Sequence, residues 1–78
     1  MPKTTHIGQR IKYFRRLKGL TQNELAIAAK TSRPLITNLE RERRDNIMLD
    51  TAARIAHALA VTLDQLYGFD MLGNDEEG

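Results

Sequence analysis

Three observations predict an all-α fold for this chain. Apolar residues recur with a short helical period and form no strand pattern. Each break in that recurrence carries a helix-capping residue or a glycine. The 78 residues suffice for one domain and not for two. With no cysteine there is no disulfide framework and no thiolate metal site, so the fold rests on a hydrophobic core or on a partner chain.

Five helices follow in order. Ile7, Ile11 and Phe14 fall at i, i+4 and i+7, an apolar stripe on a first helix of roughly residues 7 to 18, which Gly19 stops. Thr21 followed by Glu24 is a capping box, opening a short second helix to about Ala29 with Leu25, Ala28 and Ala29 as its expected core face. Ser32 caps a third helix to about Arg41. Its Pro34 falls in the first turn, where a missing amide costs nothing, and Ile36 and Leu39 point inward. Residues 42 to 48 lack periodicity and read as a basic loop. A fourth helix, roughly residues 49 to 59, turns Ala52, Ile55, Ala56 and Leu59 inward, its alanines implying close approach of a neighbour. Thr62 with Gln65 is a second capping box and starts a short helix through Leu63, Leu66 and Tyr67 that Gly68 ends.

Charge is segregated along the chain. Residues 1 to 44 hold 11 Lys and Arg against three acids, a net +8, whereas residues 45 to 78 hold Arg54 against seven acids, a net −6. A basic half on a small domain is the electrostatic footprint of a polyanion binder, and an acidic half keeps that face turned toward the anion. No stretch approaches the ~18 apolar residues of a membrane span, and the first dozen residues do not lead into an apolar run, so a cytoplasmic location is expected.

The segment GLTQNELAIAAKTSRPLITNLERERR resembles the helix-turn-helix of Cro and the phage repressors, the XRE family, and the likeness runs from Ile7, in IGQRIKYFRRLKG, to Tyr67, in ALAVTLDQLYG. Its marks are a Thr-Gln helix start, a Glu-Leu-Ala triplet, a hydroxyl-rich turn, an Ile-x-x-Leu-Glu core and the closing Ala-Leu-x-Val-x-Leu-x-x-Leu. The resemblance implies a five-helix lambda-repressor-like DNA-binding domain over residues 7–68, preceded by an arm (1–6) and followed by an extension with an acidic tail (69–78). It also implies a homodimer on a palindromic operator, acting as a transcriptional regulator and more readily as a repressor than an activator. Lys30 and Ala60 stand where the family has glycine; a left-handed lysine would carry about 1 kcal/mol of strain.

Carried onto this sequence, the motif makes the third helix the reader of the major groove, with Arg33, Pro34, Thr37 and Asn38 facing the bases. Arginine pairs with guanine O6 and N7, asparagine with adenine N6 and N7, and proline offers apolar contact such as a thymine methyl. Gln22, Lys30, Ser32, Arg41, Arg43 and Arg44 are the expected phosphate contacts, and Arg15 with Glu40 matches a family pair that bridges the first and third helices. Leu63, Leu66, Tyr67, Phe69, Met71 and Leu72 form an apolar C-terminal cluster, the expected dimer interface. No catalytic residue, metal or cofactor is expected: His6 and His57 are far apart with no carboxylate at ligand spacing, and the single serine, Ser32, is accounted for as a cap. A restriction-modification controller, an antitoxin of the same fold, and a module that binds a partner regulator or toxin are the alternatives.

Overall fold

The computed structural model describes residues 7–43 and 46–68. These form five helices: α1 (Ile7–Leu17), α2 (Gln22–Ala28), α3 (Arg33–Glu40), α4 (Leu49–Leu59) and α5 (Leu63–Tyr67), with no strand among the described residues. The ends differ from the sequence reading by about one residue, within the fraying of helix termini. One core is shared by all five, built from Ile7, Ile11, Leu25, Ala26, Ala29, Ile36, Leu39, Ile55, Ala56, Leu59 and Leu66, with Phe14, Leu20, Leu35 and Val61 packed at its edge.

Side chains and glycine-like turns set the helix ends. Thr21 accepts from the Glu24 amide at 3.0 Å while Glu24 accepts from the Thr21 amide at 2.9 Å, and Thr62 and Gln65 repeat both bonds at 3.0 and 2.9 Å. At the C-termini of α1 to α4 one hydrogen-bond pattern recurs. One or two residues past the helix a residue turns left-handed, and the next amide bonds back five residues, as in Leu20 to Arg15, Thr31 to Ala26, Arg43 to Asn38 and Val61 to Ala56. The left-handed residues are Gly19, Lys30, Glu42 and Ala60, so glycine fills this position once in four.

Two core features differ from expectation. In α2 it is Ala26 that is buried, and Ala28 is exposed. Each helical residue advances about 100°, so Ala29 lies about 40° from Leu25 on the side of Ala26, and the inward arc turns away from Ala28. In α1 the buried set includes Gly8, which the apolar stripe does not mark. A β-carbon built on Gly8 would meet the Leu39 carbonyl oxygen at 1.7 Å, so α1 and α3 cross almost backbone to backbone.

Candidate nucleic-acid interface

That crossing brings Arg15, two turns beyond Gly8, against the end of α3. Arg15 donates from Nε to Glu40 Oε2 at 2.7 Å and from Nη2 to Oε1 at 2.9 Å, a two-pronged pair whose side chains are only 11% and 3% exposed. The third guanidinium nitrogen, Nη1, donates to the Leu20 carbonyl at 2.7 Å. Hydrogen bonding to Glu40 is the main cause that holds the Arg15 pKa above its ordinary value, against the lowering effect of burial. Gln22 extends the network: its Nε2 donates to Glu40 Oε1 at 3.1 Å and its Oε1 accepts from the Thr37 hydroxyl at 2.8 Å. α1, α2 and α3 are thus pinned together by four side chains.

The other end of α3 is fixed through its turn. Lys30 is left-handed at φ 56°, and Ser32 caps α3 by accepting from the Leu35 amide at 3.2 Å. Behind the turn, Arg54 of α4 donates from Nε to the Ala29 carbonyl at 2.9 Å and pairs with Asp50 at 3.2 Å. With Ile36 and Leu39 buried, the outward arc of α3 consists of Arg33, Pro34, Thr37, Asn38 and the following Arg41. Arg33, Pro34 and Arg41 are exposed, whereas Thr37 and Asn38 are half-buried. Two short helices, crossed through a tight turn with the second presenting such an arc, constitute a helix-turn-helix.

Residues 11–66 match the HTH_3 helix-turn-helix family. The chain belongs to this family. An immunity repressor protein of Bacillus phage phi105 is 37% identical over 71 residues, covering 91% of this chain and 49% of the repressor, so the chain spans about half the length of that relative. The control protein C.BamHI of Bacillus amyloliquefaciens is 34% identical over 71 residues, covering 90% of this chain and 86% of the controller. Among solved structures, SinR of Bacillus subtilis, the master regulator for biofilm formation, in complex with DNA, superposes with a TM-score of 0.75 at 32% identity, covering 77% of this chain and 95% of that one. The fold is the lambda-repressor-like arrangement of the family.

The residues singled out from the sequence as contacts fall into three groups. Arg33, Pro34, Thr37 and Asn38 share the outward arc, but Thr37 commits its only hydroxyl proton to Gln22, so its side chain has no donor left for a base. Lys30, Ser32, Arg41 and Arg43 are exposed around the two ends of α3, while the Gln22 side chain is engaged with Glu40 and Thr37 at both of its ends. Of the C-terminal cluster, Leu63 and Tyr67 are half-buried at the edge of the core; Leu66 is fully enclosed by its own chain and so belongs to the core, not to a surface. Arg44, Phe69, Met71 and Leu72, like the arm (1–6) and the extension (69–78), lie outside the described residues.

Three positioning residues escape sequence reasoning. Gly8 permits the α1–α3 crossing, Arg54 holds the turn, and Arg10 ties α1 to α5 by donating from Nε to the Gln65 carbonyl at 2.7 Å. Arg54 carried one visible signal, as the sole cation of the acidic half. His57 is exposed on α4, and no helix among the described residues is long and apolar enough to cross a membrane.

Proposed function

We propose that this chain is a sequence-specific DNA-binding transcriptional regulator that represses by occupying a palindromic operator as a homodimer. The observation that carries the reading is the outward arc of α3, which holds an arginine, a proline and an asparagine within the first two turns while partly buried hydrogen bonds fix the helix from behind. Arg33 donates to guanine O6 and N7, Asn38 pairs with adenine, and Pro34 and the Thr37 methyl make apolar contact with thymine. Lys30, Ser32, Arg41 and Arg43, with Arg44, take the flanking phosphates. Gln22 serves through its main-chain N–H, which as a first-turn amide has no partner within the helix. SinR, similar over 77% of this chain, was solved bound to DNA, and the phage relative bears the name of a repressor.

A single reading helix spans few base pairs, so useful specificity calls for two half-sites and a two-fold dimer. The second copy is placed against α5, where Leu63 and Tyr67 are the half-buried apolar residues. As the second reading, the match over 86% of control protein C.BamHI, together with the fold likeness to the restriction-modification controller C.AhdI, favours a restriction-modification controller of the same DNA-binding type. Sequencing duplexes retained from a random pool gives the operator. On that operator Arg33→Ala should cost about 1–3 kcal/mol and relax the preference at one guanine per half-site. Equal loss on operator and random DNA would reassign Arg33 to a phosphate, and retention of no duplex at all would overturn the DNA reading.

A further inference from the structure

The outer face of α1 bears a strip that the DNA reading does not use. Tyr13 and Leu17, one turn apart, are 61% and 65% exposed. Beside them Lys12 and Arg16, also one turn apart, have no ion-pair partner among the described residues. Gln9, Lys12, Tyr13, Arg16 and Leu17 line a shallow groove together with Glu40 of α3.

The described chain ends at the edge of this face. Gly68 lies against Arg10 of α1: a β-carbon built there would sit 3.5 Å from the guanidinium carbon, and Arg10 is bonded to the Gln65 carbonyl. Going round α1 from Arg10 at about 100° per residue, Leu17 is met after about 20°, Tyr13 after about 60°, Arg16 after about 120° and Lys12 after about 160°. The surface therefore runs from apolar to basic, away from the point where the chain leaves α5. The sequence after Gly68 runs in the matching order, first Phe69, Met71 and Leu72, then Asp75, Glu76 and Glu77. Reach is ample: nine extended residues span about 30 Å, whereas the arc on a helix about 12 Å across is about 17 Å.

We propose that residues 69–77 dock across the outer face of α1 of their own chain, Phe69, Met71 and Leu72 covering Tyr13 and Leu17, and Asp75, Glu76 and Glu77 lying beside Lys12 and Arg16. Asp70 then follows directly on the segment beside Arg10. The docking removes an apolar patch from water and neutralises two cations that lie apart from the reading helix. It also assigns the tail to its own chain, leaving α5 as the surface open to a second copy.

Because the chain has no cysteine, Gly73→Cys accepts a single nitroxide label in the full-length protein. With ¹⁵N-labelled protein the amide signals of Lys12, Tyr13, Arg16 and Leu17 should lose more than half their intensity relative to the reduced label, while those of Ala53 and His57 on α4 keep theirs. The double variant Arg16→Glu with Leu17→Ser changes exposed side chains only, and it should restore the α1 signals severalfold with the helical circular dichroism unchanged. Mixing ¹⁵N protein without label into unlabelled-isotope protein carrying the nitroxide should broaden nothing. Broadening in that mixture would give the face to a second copy's tail and overturn the proposal. So would undiminished α1 signals in the labelled chain, or broadening that survives the double variant.

Discussion

At the scale of single residues, α3 owes its placement to groups on the side away from its outward arc. Gly8 is the sharpest case, because any side chain there collides with the carbonyl of Leu39, a backbone atom that cannot swing aside. Gly8→Ala must push α1 away from α3, and the displacement reaches Arg15, whose two bonds to Glu40 require the present spacing. The expected loss is about 2–3 kcal/mol in urea unfolding, as for overpacking of a core. Affinity for operator should fall in the same variant under conditions where it is still fully folded. A variant as stable as the parent would mean that the crossing can relax without cost. Tyr67 supplies a pH dependence: burial holds its phenol pKa above the ordinary value. A proton held more tightly in the folded state contributes stability that is whole below the unfolded tyrosine's pKa of about 10 and is lost as pH rises through the folded value. Thermal unfolding should therefore show a steeper alkaline decline in the parent than in Tyr67→Phe, with the two diverging only above about pH 10.

At the scale of elements, four helices end on one hydrogen-bond pattern, and three of them do so with a residue that has a β-carbon. Each such residue costs about 1 kcal/mol or more in the left-handed region, offset in the glycine variant by the greater freedom glycine has when unfolded. Ala60 is the clean place to measure the balance, since it is exposed between α4 and α5 and far in sequence from the reading helix. Ala60→Gly should raise stability by up to about 1 kcal/mol, with operator affinity unchanged. A loss of stability would show that the unfolded-state term outweighs the strain. Much of this layer was legible in the sequence. Thr21 with Glu24 and Thr62 with Gln65 announce their helices because a capping box is local chemistry, complete within four residues. The left-handed Lys30 and Ala60 were legible only through family likeness, and Glu42 not at all, because nothing in its side chain asks for that conformation. Gly8 and Arg54 were hidden for another reason: each is defined by a neighbour distant in sequence. The outward arc of α3 followed from Ile36 and Leu39, yet the capture of the Thr37 hydroxyl by Gln22 depends on how α2 crosses α3, which no periodicity records.

At the scale of the whole molecule, charge is segregated along the chain, a distribution suited to a polyanion partner. The basic half supplies α1, α2 and α3 with their surrounding turns, and the acidic half supplies α4 and α5. The net charge of +2 thus understates the field at the reading face. Each phosphate neutralised by a lysine or arginine releases condensed counterions, so affinity should fall with salt in proportion to the number of contacts. About three phosphates per reading helix, taken by residues such as Lys30, Arg41 and Arg43, give a log–log slope of about −3 on a half-site and about −5 on a full palindrome, if two copies bind together. The comparison of the two slopes tests the assembly and the electrostatics separately. Equal slopes on both duplexes would mean that a single copy occupies the operator, whereas slopes near zero would mean that the basic half does not face phosphate. Arg43→Ala should flatten the palindrome slope by about two units, one per copy, and leave the base preference at every position as it was. A change of preference in that variant would place Arg43 in a groove.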